Sequence, residues 1–180
     1  MALTRFTIDG NGQIEPNNVT FTRDGRVESQ FKMASDLTKV ENGMLLVLDY
    51  ANREVKLPSS TTEAGQLALA YSAEKNYDST KPGLKNFAIT AGNGGCPRMG
   101  YLTLGDTFTT NCLAYDSTEY ATETALKTAL SGVTSVPVYG TFSTVGAIKL
   151  TSTKPAVNEF LKVVRPTTLP DGQYAVEFVK

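Results

Sequence analysis

Three carboxylates, Asp106, Asp116 and Glu119, lie close enough in the chain to suggest paired acid–base chemistry. Glycosidases set two such groups across a cleft. Asp106, however, follows Gly105 in a turn signal, and Asp116 stands where a helix needs a cap. Turn and cap roles therefore outweigh a catalytic one. Cys96 precedes Pro97 and lies near Arg98, and an adjacent cation lowers a thiol pKa. A nucleophilic cysteine also needs a base, and the chain has no histidine. That absence removes Ser-His-Asp triads, histidine-ligated zinc and histidine pH switches. Gly92–Arg98, read GNGGCPR, resembles part of a dinucleotide fingerprint, but Pro97 occupies the third glycine position and no helix follows. Asp9–Glu15, read DGNGQIE, resembles the start of a calcium loop. Ile14 replaces its sixth-position glycine, and flanking helices are missing. Both read better as turns, so no catalytic residue, cofactor site or metal site is expected.

The elements that would position these groups are mostly strands. In Gly100–Leu113, Tyr101, Thr103, Thr107 and Thr109 alternate with Leu102, Leu104 and Phe108 around Gly105-Asp106. Period two predicts a half-buried strand pair. Met44–Asp49 and Arg53–Leu57 read as a hairpin about Tyr50–Asn52, with Asn52 suited to a left-handed turn position. Gln66–Tyr71, Asn86–Ala91, Ser135–Tyr139 and Ala147–Thr151 are further strands, with a polar loop across 76–83. Glu159–Val164 and Tyr174–Val179 form a closing hairpin whose loop is built by Pro166, Pro170, Asp171 and Gly172. Asp116–Leu130 is the best helix, capped by Asp116 or Ser117, with Ala121, Ala125, Leu126, Ala129 and Leu130 on one face.

Residues 1–40 are different in character. Turn signals at Asp9-Gly10, Pro16-Asn17-Asn18 and Asp24-Gly25 separate the short strand candidates Thr4–Ile8, Val19–Arg23 and Val27–Lys32. This stretch reads as an extended or loosely stranded N-terminal arm, with a β domain over 41–180. In an arm, Phe6, Ile8, Phe21 and Phe31 become candidate contacts that dock on a partner, as extended segments do. In a free-standing domain they would be local core.

With 180 residues and 41% hydrophobic content, the chain can bury a real core. Its net charge of −1 gives no basic surface for nucleic acid. The longest apolar run, Met44–Leu48, is too short to span a membrane, and the N-terminus lacks the apolar segment of a signal peptide. Cys96 and Cys112 are accordingly expected as free thiols.

From Asn42 to Lys180 the chain resembles auxiliary head proteins of tailed bacteriophages, the capsid decoration or cement proteins. The residues that carry this are Asn42–Asp49 with Arg53–Leu57, the string Gly105-Asp106-Thr107-Phe108-Thr109-Thr110-Asn111, and Leu169–Phe178. The resemblance implies a β-barrel or β-sandwich with one short helix. It implies a structural virion protein, made in the host cytoplasm, that binds the outside of the assembled capsid and reinforces it against internal DNA pressure. The implied partners are the major capsid protein and further copies of the chain itself. Two other readings stand beside it. One is another virion component, such as a head-fibre base or tail protein. The other is a carbohydrate-binding β-sandwich module, for which Tyr71, Tyr77, Tyr101 and Tyr139 could supply platforms.

Overall fold

Leu45–Asp49 shows how the chain divides its apolar residues. Leu45 enters one core, whereas Leu46 and Leu48 enter a second core on the opposite face, as the two-residue period of a strand requires. The computed structural model describes residues 3–59, 67–72, 84–91, 95–156 and 160–180. Within them the fold is mainly β. The strands are β1 (Leu3–Arg5), β2 (Ile14–Asn18), β3 (Lys32–Met33), β4 (Lys39–Val40), β5 (Leu45–Asp49), β6 (Glu54–Lys56), β7 (Ala68–Ala70), β8 (Ile89–Thr90), β9 (Met99–Tyr101), β10 (Thr107–Thr110), β11 (Leu113–Asp116), β12 (Tyr139–Thr141), β13 (Ile148–Thr151), β14 (Leu161–Thr168) and β15 (Tyr174–Val179). Helices α1 (Thr20–Arg23) and α2 (Glu123–Ser131) join them.

Among the described residues, eight strands form one sheet in the order β1-β11-β13-β12-β14-β15-β10-β2, and five form another in the order β3-β6-β5-β7-β9. β4 and β8 make a small third sheet. Among the described residues neither larger sheet closes on itself, so the architecture is sandwich-like and not a closed barrel. The first core includes Phe108, Leu113, Phe142, Ile148 and Phe178 of the large-sheet side with Leu45 and Leu69 of the five-stranded sheet. The second, around Leu46, Val55 and Met99, covers the other face of the five-stranded sheet.

Residues 3–40 are not a separable arm. β1 pairs with β11, Leu3 opposite Asp116, and β2 pairs with β10, Ile14 opposite Thr110. Phe6, Ile14, Val19 and Phe21 fill the first core; Phe31, Leu37 and Val40 fill the second. Two of the turn signals reverse the chain between packed segments, with Gly10 and Gly25 at φ of 80° and 69°, whereas Pro16-Asn17-Asn18 lies within β2. Local polarity resembled an arm because each apolar anchor is short and isolated in sequence.

Other expectations are corrected in the same way. Gly100–Leu113 is not a hairpin: β9 pairs with β7, while β10 pairs with β15 and β2. The Gly105 turn is a corner between sheets. Val19–Arg23 contains α1 instead of a strand, and Val27–Lys32 contributes only the Glu28–Met99 bridge and the start of β3. The β5–β6 hairpin forms as expected, but Arg53, at φ 56°, takes the left-handed position. Asn52 instead donates from its side chain to Asp49. The helix begins later than its pattern suggests, because Asp116 belongs to β11 and Thr122 is the cap, its hydroxyl accepting the Ala125 N–H at 3.1 Å. The closing hairpin forms with β14 running on through Pro166 to Thr168, so the turn is confined to Leu169–Gln173. The loop at 76–83 and Gly92–Gly94 lie outside the described residues.

Candidate interaction surface around the Asp9–Gln13 loop

Three of the four candidate contacts are interior. Phe6 and Phe21 are 3% exposed and Phe31 is fully buried; Ile8 alone is half-buried. Phe6 stacks on Tyr174 with ring centres 5.6 Å apart, and Lys127 Nζ lies 5.1 and 5.0 Å from the two ring centres. Phe21 presses on the backbone of β9, so that a Cβ at Gly100 would meet its ring at 2.1 Å. Phe31 takes Tyr50 edge-on at 5.0 Å, with Arg53 5.5 Å from its ring centre. These phenylalanines hold the fold and offer no free face to a partner.

Ile8 leads into a loop that several distant segments grip. Gly10 at φ 80° lies so close to Lys85 that a Cβ there would meet the Lys85 carbonyl oxygen at 2.3 Å. Asn11 N–H donates to that carbonyl, and Asn11 Oδ1 accepts from Lys39 Nζ at 2.9 Å. Asp9 pairs with Lys85. Gln13 N–H donates to Asn111 Oδ1 at 2.7 Å, and Gln13 Nε2 donates to Asp171 Oδ2 at 2.8 Å. Gln173 closes the ring, accepting the Asp9 N–H at 2.8 Å and donating to Asp171 at 2.7 Å. Asp171 is held below its usual value: burial would raise it, but the hydrogen bonds from Gln13 and Gln173 prevail. The surface therefore presents Asp9, Pro170 and Asp171 outward on a rigid frame.

Behind the loop lies a buried ionic node that the linear pattern does not reveal. The Glu41 carboxylate accepts from both Arg5 guanidinium nitrogens, from Lys39 and from Gly12 N–H at 2.7 Å. Burial alone would raise its pKa; those donors outweigh burial and hold it at about 2. Arg5 Nη2 also lies 3.6 Å from the Cys112 sulfur, yet burial pushes that thiol up to about 12. A Cβ at Gly12 would meet Cys112 Sγ at 3.1 Å. Arg5, Gly12, Lys39 and Glu41 are far enough apart in the chain that only the fold brings them together.

The three carboxylates weighed for acid–base chemistry are each committed elsewhere. Asp106, 1% exposed, accepts the Thr20 N–H at 2.9 Å, the Thr20 hydroxyl at 2.6 Å and the Thr103 N–H at 2.9 Å. Asp116 accepts the Thr118 N–H and hydroxyl at 3.0 and 2.7 Å, which hold its pKa low, and faces Lys149 at 3.6 Å. Glu119 binds the Thr151 and Ser152 hydroxyls at 3.2 and 2.7 Å. Asp9 and Glu15 of the calcium-like loop diverge, one onto Lys85 and the other into β2. Cys96 is exposed and Cys112 buried, both as free thiols. Of the tyrosines, Tyr71, Tyr101 and Tyr139 are half-buried, and Tyr77 lies outside the described residues. Comparison with protein-family models, with curated proteins and with solved structures finds no match for this chain.

Proposed function

We propose that this chain is a structural virion protein that binds the outer surface of a tailed-phage capsid and stabilises it, without catalysis of its own. The observation that carries the reading is the set of three segments resembling decoration proteins. The fold adds a relation between two of them. Gly105–Asn111 supplies β10 and Leu169–Phe178 supplies β15, and these strands pair with Phe108 opposite Phe178. Attachment is assigned to the Ile8–Gln13 and Leu169–Gln173 surface in place of the buried phenylalanines. A surface already fixed by hydrogen bonds loses little entropy on binding.

Gradient sedimentation of purified capsids with added protein tests this reading. Co-sedimentation of the chain with particles is expected. Pro170→Glu, at an exposed position beside the hydrogen-bonded ring, should weaken it while leaving the thermal transition in place. Absence of the wild-type chain from the particle fraction would overturn the reading.

A further inference from the structure

The Asn11-Gly12 step is bracketed on two sides by one ion pair. Asn11 Oδ1 accepts from Lys39 Nζ at 2.9 Å. The same Nζ pairs with Glu41 Oε1 at 2.5 Å. The other oxygen of that carboxylate, Oε2, accepts the Gly12 N–H at 2.7 Å. The Asn11 side-chain carbonyl therefore faces a cation, while the next backbone amide faces an anion. The frame around them is fixed. Asn11 N–H donates to Lys85 O, and the Glu41 side chain, 1% exposed, is held ionised by Arg5 as well. A Cβ at residue 12 would meet Asn42 O at 2.7 Å, so only glycine fits the position.

Asparagine followed by glycine is the step most open to attack of the backbone nitrogen on the side-chain amide, because no side chain shields that nitrogen. The attack needs a base for the N–H and a charge partner for the oxyanion that forms on the amide oxygen. Here both stand in place before any reaction. The chain supplies its own contrast. Asn42-Gly43 is also an Asn-Gly step, but Gly43 N–H donates to the Ala70 carbonyl at 2.9 Å and Asn42 Oδ1 accepts the Ser72 N–H at 2.8 Å. A backbone carbonyl is no base, and a neutral N–H is a weaker partner for an oxyanion than an ammonium.

We propose that Asn11 is a self-modification site, where Lys39 and Glu41 promote closure of a succinimide and its opening to aspartate and isoaspartate. The Gly12 nitrogen bonds to Asn11 Cγ as its proton passes to Glu41 Oε2. The Lys39 ammonium holds the negative charge on Oδ1. Collapse breaks the Cγ–Nδ2 bond, and the proton on Glu41 leaves with Nδ2 as ammonia. Water then adds to one of the two imide carbonyls and breaks its bond to the Gly12 nitrogen. Asn11 and water thus give ammonia and a carboxylate at residue 11, with Lys39 and Glu41 unchanged. The lysine is a donor and not the nucleophile, since its pairing with an ionised Glu41 keeps it protonated. The product adds one negative charge to the Asp9–Gln13 loop, whose charge is then set by the age of the chain.

Peptide mapping by mass spectrometry of the full chain aged at neutral pH provides the test, with enzymatic methylation to count isoaspartate peptide by peptide. It needs no capsid, so its outcome is independent of the proposed virion role. Conversion at Asn11 should be faster in the native protein than in the urea-unfolded chain, by about tenfold or more. Asn42 should show the opposite order. Lys39→Met, at a side chain 43% exposed, should fold and should slow native conversion at Asn11 by about tenfold. Glu41→Gln, assayed below its melting midpoint, should slow it too. An ion pair that merely held the loop would give the reverse, because loosening the loop would speed the reaction. Native conversion no faster than in urea, or a rate unchanged or raised in Lys39→Met, would overturn the proposal. So would a cross-linked peptide joining Asn11 to Lys39, which would make the lysine the nucleophile.

Discussion

Arg5 and Glu41, thirty-six residues apart, meet in a two-pronged ion pair that joins the edge strand β1 to the segment just before β5. The Glu41 side chain is 1% exposed, whereas Arg5 keeps a path to solvent at 36%. Removing one partner from a buried pair costs far more than breaking a surface pair, because a charge is stranded without solvent.

The Glu41 carboxyl is depressed from 4.5 to about 2, so its contribution to stability is present above 4.5 and is lost as pH falls through about 2. Thermal midpoints measured against pH should drop across that window. In Glu41→Gln the midpoint should be lower at neutral pH and the drop between these values should shrink. An identical pH profile for the two proteins would refute the assignment.

Deleting residues 1–40 should abolish cooperative unfolding instead of releasing a stable β domain. The deletion removes three phenylalanines that are at most 3% exposed, together with β1 and β2. Each Phe→Ala change alone should cost about 3–5 kcal/mol, against a typical total of about 5–15 kcal/mol. Circular dichroism melts of the truncated chain and of Phe6→Ala and Phe31→Ala check this.

Asp106→Ala should destabilise the protein by about 1.5–3 kcal/mol, the order expected when a buried carboxylate that accepts several hydrogen bonds is removed. It ties α1 to the corner between β9 and β10, so both should loosen. Urea denaturation should report the loss, and hydrogen exchange should quicken at Thr20 and Thr103, whose N–H groups it binds.

A thiol reagent should modify one cysteine rapidly in the native protein and two after unfolding. Cys96 is exposed, while Cys112 is buried and its thiol is pushed up to about 12. Quantitation by absorbance, with mass spectrometry to place the label, decides it; rapid native labelling of Cys112 would contradict the packing around Gly12 and Gly43.

The sequence by itself determined the mainly β class, the β5–β6 and β14–β15 hairpins and the approximate place of α2, because each depends on residue periodicity and turn chemistry within a short window. It could not decide where Leu104 and Phe6 would lie. Both looked like strand or arm residues, yet one is exposed at a corner and the other stacks on Tyr174. The pairing of β10 with β2 and β15, and not with β9, is a choice among distant partners, fixed by which faces bury together. The Glu41 node and the Asp9–Asp171 surface depend on the same choice, since Arg5, Lys39, Lys85, Asn111 and Gln173 are brought together only when the sheets close on their cores. Local pattern sets which backbone forms are cheap; only long-range packing sets which charges and side chains become neighbours.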